Sequence, residues 1–149
     1  MKISVPSLII SIIVVFTGLI ILPMYYISVV QWRNDYESIH NEARNLVDKI
    51  IDTREYTATM EEDISLAMAT LNNTFTAKVT REVKVVNPDG KGGTYTTYIT
   101  TDNNKEYAQG DFVTVTIEQL GVSPWQAISM RLLGINSYRD KVVYSGRVR

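Results

Sequence analysis

Cysteine is absent from this 149-residue chain and histidine occurs once. Thiolate nucleophiles, disulfide staples and the Cys/His clusters that hold zinc are thereby excluded, and an exported portion would have to stand without disulfides. Charge of either sign is missing from Ile3 through Gln31, a run set between Lys2 and Arg33, and no second run of this kind follows. A basic excess is missing too. Lys and Arg total 15 against 16 Asp and Glu, a formal charge of −1, with no basic stripe interleaved with aromatics, which argues against a nucleic-acid partner. Pro88-Asp89-Gly90-Lys91-Gly92-Gly93 has glycines and a lysine but not the spacing of a phosphate loop, and it lies between two strand-like runs, so it reads as a hairpin turn.

What is present begins with the uncharged run itself. At about 1.5 Å per helical residue it exceeds the roughly 30 Å hydrocarbon core of a bilayer, which predicts a single-pass transmembrane anchor with lipid as its first partner. Lys2 and the α-amino group lie on one side, while Arg33 and Arg44 are mixed with Asp35, Glu37 and Glu42 on the other. The positive-inside rule then predicts a cell-membrane protein with a cytoplasmic N-terminus and an extracytoplasmic C-terminal portion. The run is about twice the apolar core of a signal peptide, and no A-x-A precedes Arg33, so an uncleaved anchor is expected. The division is an anchor over 1–32 and one head domain over 33–149, enough for one modest core.

Within the anchor, Ser4, Ser7, Ser11 and Gly18 fall along one stripe of a helix. Small side chains let helix backbones approach closely in lipid, which suggests a packing face for another transmembrane helix, whether a second copy or a different subunit. Serine and glycine are also frequent in membrane helices, where such stripes arise by chance. Pro23 removes a backbone donor and predicts a kink or local unwinding in the outer third. Tyr25, Tyr26 and Trp32 follow, and rings with polar tips suit the headgroup zone, so the outer boundary is expected between Tyr25 and Trp32.

Beyond the membrane, Ile39, Ala43, Leu46, Val47 and Ile50 form the apolar stripe of an amphipathic helix. With no Gly or Pro between this segment and Pro23, the two are expected to join as one bent helix. Its stem, about residues 35–52, would project several turns above the bilayer. A second helix is predicted from a Thr59/Glu62 capping box through Met60, Ile64, Ala67, Met68 and Leu71, ending at Asn72-Asn73. The period then changes to two. Phe75, Ala77, Val79, Val83 and Val85 alternate with Lys78, Thr80, Glu82 and Lys84, and Arg81 breaks the apolar face, which suggests an edge, a bulge or a snorkelling side chain. Thr94 to Thr101 completes a hairpin, and Val113, Val115 and Ile117 mark another strand. Ser123 with Pro124 opens a short helix that Gly134 is placed to end, and Lys141 to Arg149 reads as a final strand. The predicted class is α+β: a long transmembrane helix continuing into a stem, then a small head with a mainly antiparallel sheet and one or two short helices.

Residues that could carry chemistry do not converge. His40 reads as a solvated stem residue. Asp48 and Asp52 share a helix face with Arg44 and Lys49 nearby, the pattern of a charge-balanced surface rather than an acid/base pair. Glu61-Glu62-Asp63 complements the dipole of a helix N-terminus. Asp102-Asn103-Asn104 lacks the rest of a calcium loop, and no serine sits in a G-x-S-x-G elbow. Arg139, Lys141, Arg147 and Arg149 make the C-terminal end locally basic, suited to solvent, anionic lipid or a partner's acids. No catalytic, cofactor or metal-ligating residue is assigned, no small-molecule substrate is evident, and an enzyme is not expected.

The uncharged run, the stem Asn45-Leu46-Val47-Asp48-Lys49-Ile50-Ile51-Asp52, the Thr57–Leu71 helix and Gly110-Asp111-Phe112-Val113-Thr114-Val115 together resemble the type IV pilin and pseudopilin class. The chain looks most like TadE-type pseudopilin-like proteins of bacterial tight-adherence and related export systems. The resemblance implies a structural or accessory subunit of a pilus-like or secretion apparatus, with pilin-like subunits as partners. Type IV prepilins carry a small residue before the apolar run and a glutamate five residues after the cut. Here Lys2 leads into Ile3 and no acid precedes Asp35, which fits an uncleaved accessory subunit better than a major filament subunit. The competing reading is an anchored extracellular binding module, adhesin or receptor-like, that meets its ligand through the Tyr95 to Thr101 hairpin.

Overall fold

The computed structural model describes residues 5–103, 106–132, 134 and 139–149. A continuous helical path runs from Val5 to Thr53, long and apolar enough in its first half to cross a membrane. It comprises α1 (Val5–Phe16), a π-helical segment (Thr17–Ile21) and α2 (Leu22–Thr53). The expected disturbance at Pro23 takes the form of this π turn. In an unbroken α-helix the Pro23 ring would meet the carbonyl of Leu19 and leave it without a donor. The wider turn precedes the proline directly, with the Leu22 N–H donating back to the Thr17 carbonyl.

The helix stops at Arg54, which takes the left-handed conformation (φ 58°) although it is not glycine. Three bonds hold it: its N–H donates to the Ile50 carbonyl (2.8 Å), its carbonyl accepts from Tyr107 N–H (2.8 Å), and Nη2 donates to the Arg149 carbonyl (2.8 Å). Helix α3 (Ala58–Ala69) begins two residues before the expected capping box. Thr57, not Thr59, has the extended backbone, and its hydroxyl accepts from the Met60 N–H at 3.4 Å. The inner face of α3 is Met60, Ile64 and Met68.

Four antiparallel strands follow: β1 (Thr74–Pro88), β2 (Thr94–Thr101), β3 (Phe112–Gly121) and β4 (Lys141–Arg147), in the order β2-β1-β3-β4. Helix α4 (Pro124–Leu132) lies in the connection from β3 to β4. The α+β class is the observed one. Alternation decides which face of the sheet is covered. Ala77 pairs with Ile117 and Ile117 with Val142, while Val79 pairs with Val115 and Val115 with Tyr144, so these residues share one face. That face is covered by α2 and α3. The opposite face carries Lys78, Thr80, Thr114, Thr116 and Ser145 and stays open.

The predicted stem stripe, Ile39, Ala43, Leu46, Val47 and Ile50, is buried throughout and is the centre of the core. The expected order of long helix, stem and strand-rich head is the observed one, with the stem itself lying inside the head. The stem is the central helix of the head, and the sheet wraps back along it. Gly146 shows how closely they pack: a Cβ there would stand 2.7 Å from Val47 Cγ1 and collide with Ile51 Cδ1. Arg81 differs from all three readings offered for it. Strand β1 is hydrogen-bonded on both sides there, with Thr101 and Val113 as register partners and no register shift at that point, so Arg81 is neither at an edge, nor in a bulge, nor snorkelling. It is buried, with Nε and Nη2 donating to Asp111 Oδ2 at 2.9 and 2.6 Å and its guanidinium 4.7 Å from the centre of the Tyr107 ring. The Asp111 carboxylate also accepts from Ala108 N–H (3.0 Å).

Candidate functional site

The two ends of the head are built differently. At the end away from the start of α2 the interior is apolar except for the Arg81–Asp111 pair. At the end where the head meets the start of α2, the buried polar residues collect: Ser28, Asp35, Asn73, Gln119, Gln126, Ser129 and Asp140.

These groups form a connected lock between the long helix and the head. Asp35 lies on the buried side of α2, four residues before Ile39, and its carboxylate accepts four hydrogen bonds. Oδ1 takes Asn72 N–H (3.1 Å) and Nδ2 (2.9 Å); Oδ2 takes Asn73 N–H (3.0 Å) and Nδ2 (2.8 Å). Asn73 passes the connection on, since its Oδ1 accepts from the Ser123 N–H at 2.7 Å. Ser123 in turn caps α4, with its hydroxyl accepting from Gln126 N–H (3.3 Å). About two turns towards the N-terminus, the Ser28 and Ser129 hydroxyls meet at 2.8 Å, joining α2 directly to α4. Trp32 Nε1 donates to Asp140 Oδ2 at 2.5 Å, and Asp140 is fixed to β3 through a pair of bonds with Gln119.

The surface over this lock is apolar. Trp125, Ile128 and Leu132 are 56%, 44% and 57% exposed, on a helix whose fully buried residues are Gln126 and Ser129. Leu120 and Val122 just before it are also exposed, as are Ile27, Val29 and Val30 of α2. Polar groups inside and large apolar groups outside reverse the usual arrangement of a head in water.

The residues singled out in the sequence are placed as follows. Ser4 lies outside the described residues. Ser7 and Ser11 are exposed on α1, and Gly18 lies in the π segment with open space around it. Tyr25 and Tyr26 are exposed on α2, Tyr26 at 70%. Trp32 is drawn into the contact with the head and stacks on Tyr36 (ring centres 5.8 Å apart), which stacks on His40 (6.4 Å), whose ring edge meets Tyr144 (6.2 Å). His40 is thus part of an aromatic seam between α2 and β4. The lock itself was not foreseen, although Ser28 and Asp35 lie seven residues apart and in phase with Ile39 and Ala43.

Elsewhere, Asp48 is paired with Arg44 (3.7 Å) and Lys49 with Asp63 (3.3 Å), the charge-balanced surface expected of them. Asp48 and Asp52 border an open groove shared with Lys84, Tyr144 and Arg147. No group of His, Asp and Glu among the described residues is close enough to hold a metal ion. Burial pushes the Tyr107 hydroxyl up to about 12, against the opposing pull of Arg81, and this group sits in the core rather than in a cleft. Comparison with protein-family models, curated proteins and solved structures found nothing that matches this chain.

Proposed function

We propose that this chain is a single-pass membrane-anchored structural subunit, with its N-terminus cytoplasmic and its head extracytoplasmic. It assembles with other transmembrane helices, its own copies or pilin-like subunits, in a pilus-like or secretion apparatus. The observation that carries this reading is the single helical path that has no buried residue from Val5 to Ile21 and whose later part, from Ile39 to Ile50, is the core of the head. A binding domain tethered for display needs only a flexible leash. A subunit positioned by its neighbours benefits from a rigid one, because any packing of the anchor then fixes the head. Ser7, Ser11 and Gly18 offer small side chains for such packing on an otherwise bulky helix.

The chain has no native cysteine, so a single cysteine introduced at Leu8 of the full-length protein in vesicles reports helix association through disulfide cross-linking. Adding Ser11→Leu and Gly18→Leu should reduce cross-linking severalfold. Unchanged yield would remove the packing claim.

A second reading, an anchored adhesin or receptor-like module, draws on β2. This edge strand is exposed along nearly its whole length, with Tyr95 and Ile99 open to solvent. Excising the Asn87–Gly93 turn separates the two. A binding module would lose its ligand, whereas an assembly subunit would still enter its complex.

A further inference from the structure

We infer that α4 is a second membrane contact: an amphipathic helix that rests its Trp125/Ile128/Leu132 face in the headgroup layer of the bilayer that holds the anchor. This rests on the membrane-anchored reading above and adds to it a place for the head, seated on the lipid surface rather than held away from it.

Four observations converge on lipid as the occupant. The first is level. The Ser28–Ser129 bond fixes α4 beside the part of the long helix that lies between Tyr26 and Trp32, within the uncharged run that ends at Gln31. The second is continuity. At that level Ile27, Val29 and Val30 of α2 are exposed, so large apolar side chains stand open on both helices joined by the Ser28–Ser129 bond. The third is polarity. Positions 125, 128 and 132 recur at helical spacing on one stripe, while Gln126 and Ser129 face inward, and a tryptophan on the outer stripe suits the interface. The fourth is charge. Arg131 in the last turn of α4 is exposed beside the stripe, and exposed Arg139 precedes the Asp140 that meets Trp32, so two cations are available to anionic headgroups. Of the acids at this end, Asp35 and Asp140 are buried in the lock, and the exposed Glu37 and Glu118 are already paired with Arg33 and Lys141.

The test uses the full chain in vesicles of phosphatidylcholine and phosphatidylglycerol, with single nitroxide-labelled cysteines at exposed positions where a label disturbs no packing. Leu19→Cys reports the anchor, Leu66→Cys on α3 reports the aqueous head, and Ile128→Cys and Leu132→Cys report α4. Collision with oxygen, which concentrates in lipid, is compared with collision with a water-soluble nickel chelate. The expected result is a severalfold higher oxygen-to-chelate ratio at 128 and 132 than at 66, with both shallower than 19. A ratio at 128 and 132 equal to that at 66, with 19 in lipid, would overturn the inference while leaving the anchor standing. Protection of 128 and 132 from both reagents, with spin–spin broadening, would also overturn it, showing a second copy on the face instead. A chelate-accessible label at 19 would overturn the anchor and this inference together.

Discussion

Asp35 Oδ2 accepts from both the backbone N–H and the side-chain amide of Asn73, at 3.0 and 2.8 Å, across 38 positions of chain. With the matching pair from Asn72, one carboxylate on the long helix terminates four donors of the turn between α3 and β1. Asp35→Ala strands those donors in a buried site and is expected to cost about 3 kcal/mol. Asp35→Asn keeps one acceptor oxygen and should cost less. Denaturant unfolding of the full chain in detergent measures both.

The Arg81–Asp111 pair predicts an asymmetry. Arg81→Met leaves a buried carboxylate without its cation and should destabilise by about 3–5 kcal/mol, and Asp111→Leu should do comparable harm by stranding the guanidinium. The double variant should lose less than the sum of the two, because neither charge is then left alone. Additive losses in the double-mutant cycle would show that the pair does not act as a unit.

Strand β4 approaches α2 closely only because position 146 lacks a side chain. Gly146→Ala places a methyl group against Val47 Cγ1 and Ile51 Cδ1 and is expected to cost about 1–3 kcal/mol of overpacking. Ile51→Val in the same chain removes one of the two collisions and should recover part of the loss. Thermal unfolding of the three variants provides the comparison.

Tyr107 predicts a response to alkali. Its hydroxyl is raised to about 12 by burial, above the value of about 10 for a tyrosine in an unfolded chain. The native state therefore keeps a proton that the unfolded state releases. The contribution to stability is complete below about pH 10 and is lost as pH rises through about 12. Tyr107→Phe should flatten the stability profile over that interval. It should also lose some stability at neutral pH, because the hydroxyl donates to Asn103 Oδ1 at 3.1 Å.

Much of this architecture was legible because it is periodic. The stripe from Ile39 to Ile50 and the alternation of Val113, Val115 and Ile117 each follow from one residue type recurring at one spacing, and burial follows the pattern residue by residue. What periodicity does not carry is which polar residues are internal. Arg81 on an apolar strand face looks like an interruption until Asp111, distant in sequence, is brought beside it. Asp35 and Ser28 look like solvated helix residues until Asn73 and Ser129 arrive. The polar lock between α2 and the head was hidden for the same reason, since it is made of long-range polar pairs. The inverted face of α4 can be read only after Gln126 and Ser129 are known to point inward. The Thr57 cap was missed because Thr59 satisfies the same local rule, and the choice between them lies in backbone angles.

The long helix has no glycine or proline between Pro23 and Arg54, and the head is clamped to it from Ser28 to Ile50. The apolar N-terminal half of the helix and the head therefore share one axis of rotation: turning the helix about its own axis turns the sheet by the same angle. The π turn at Thr17–Ile21 is the one irregular joint in that shaft, and it lies on the anchor side of the clamp. Bending there would tip the head as a whole while leaving its interior unchanged.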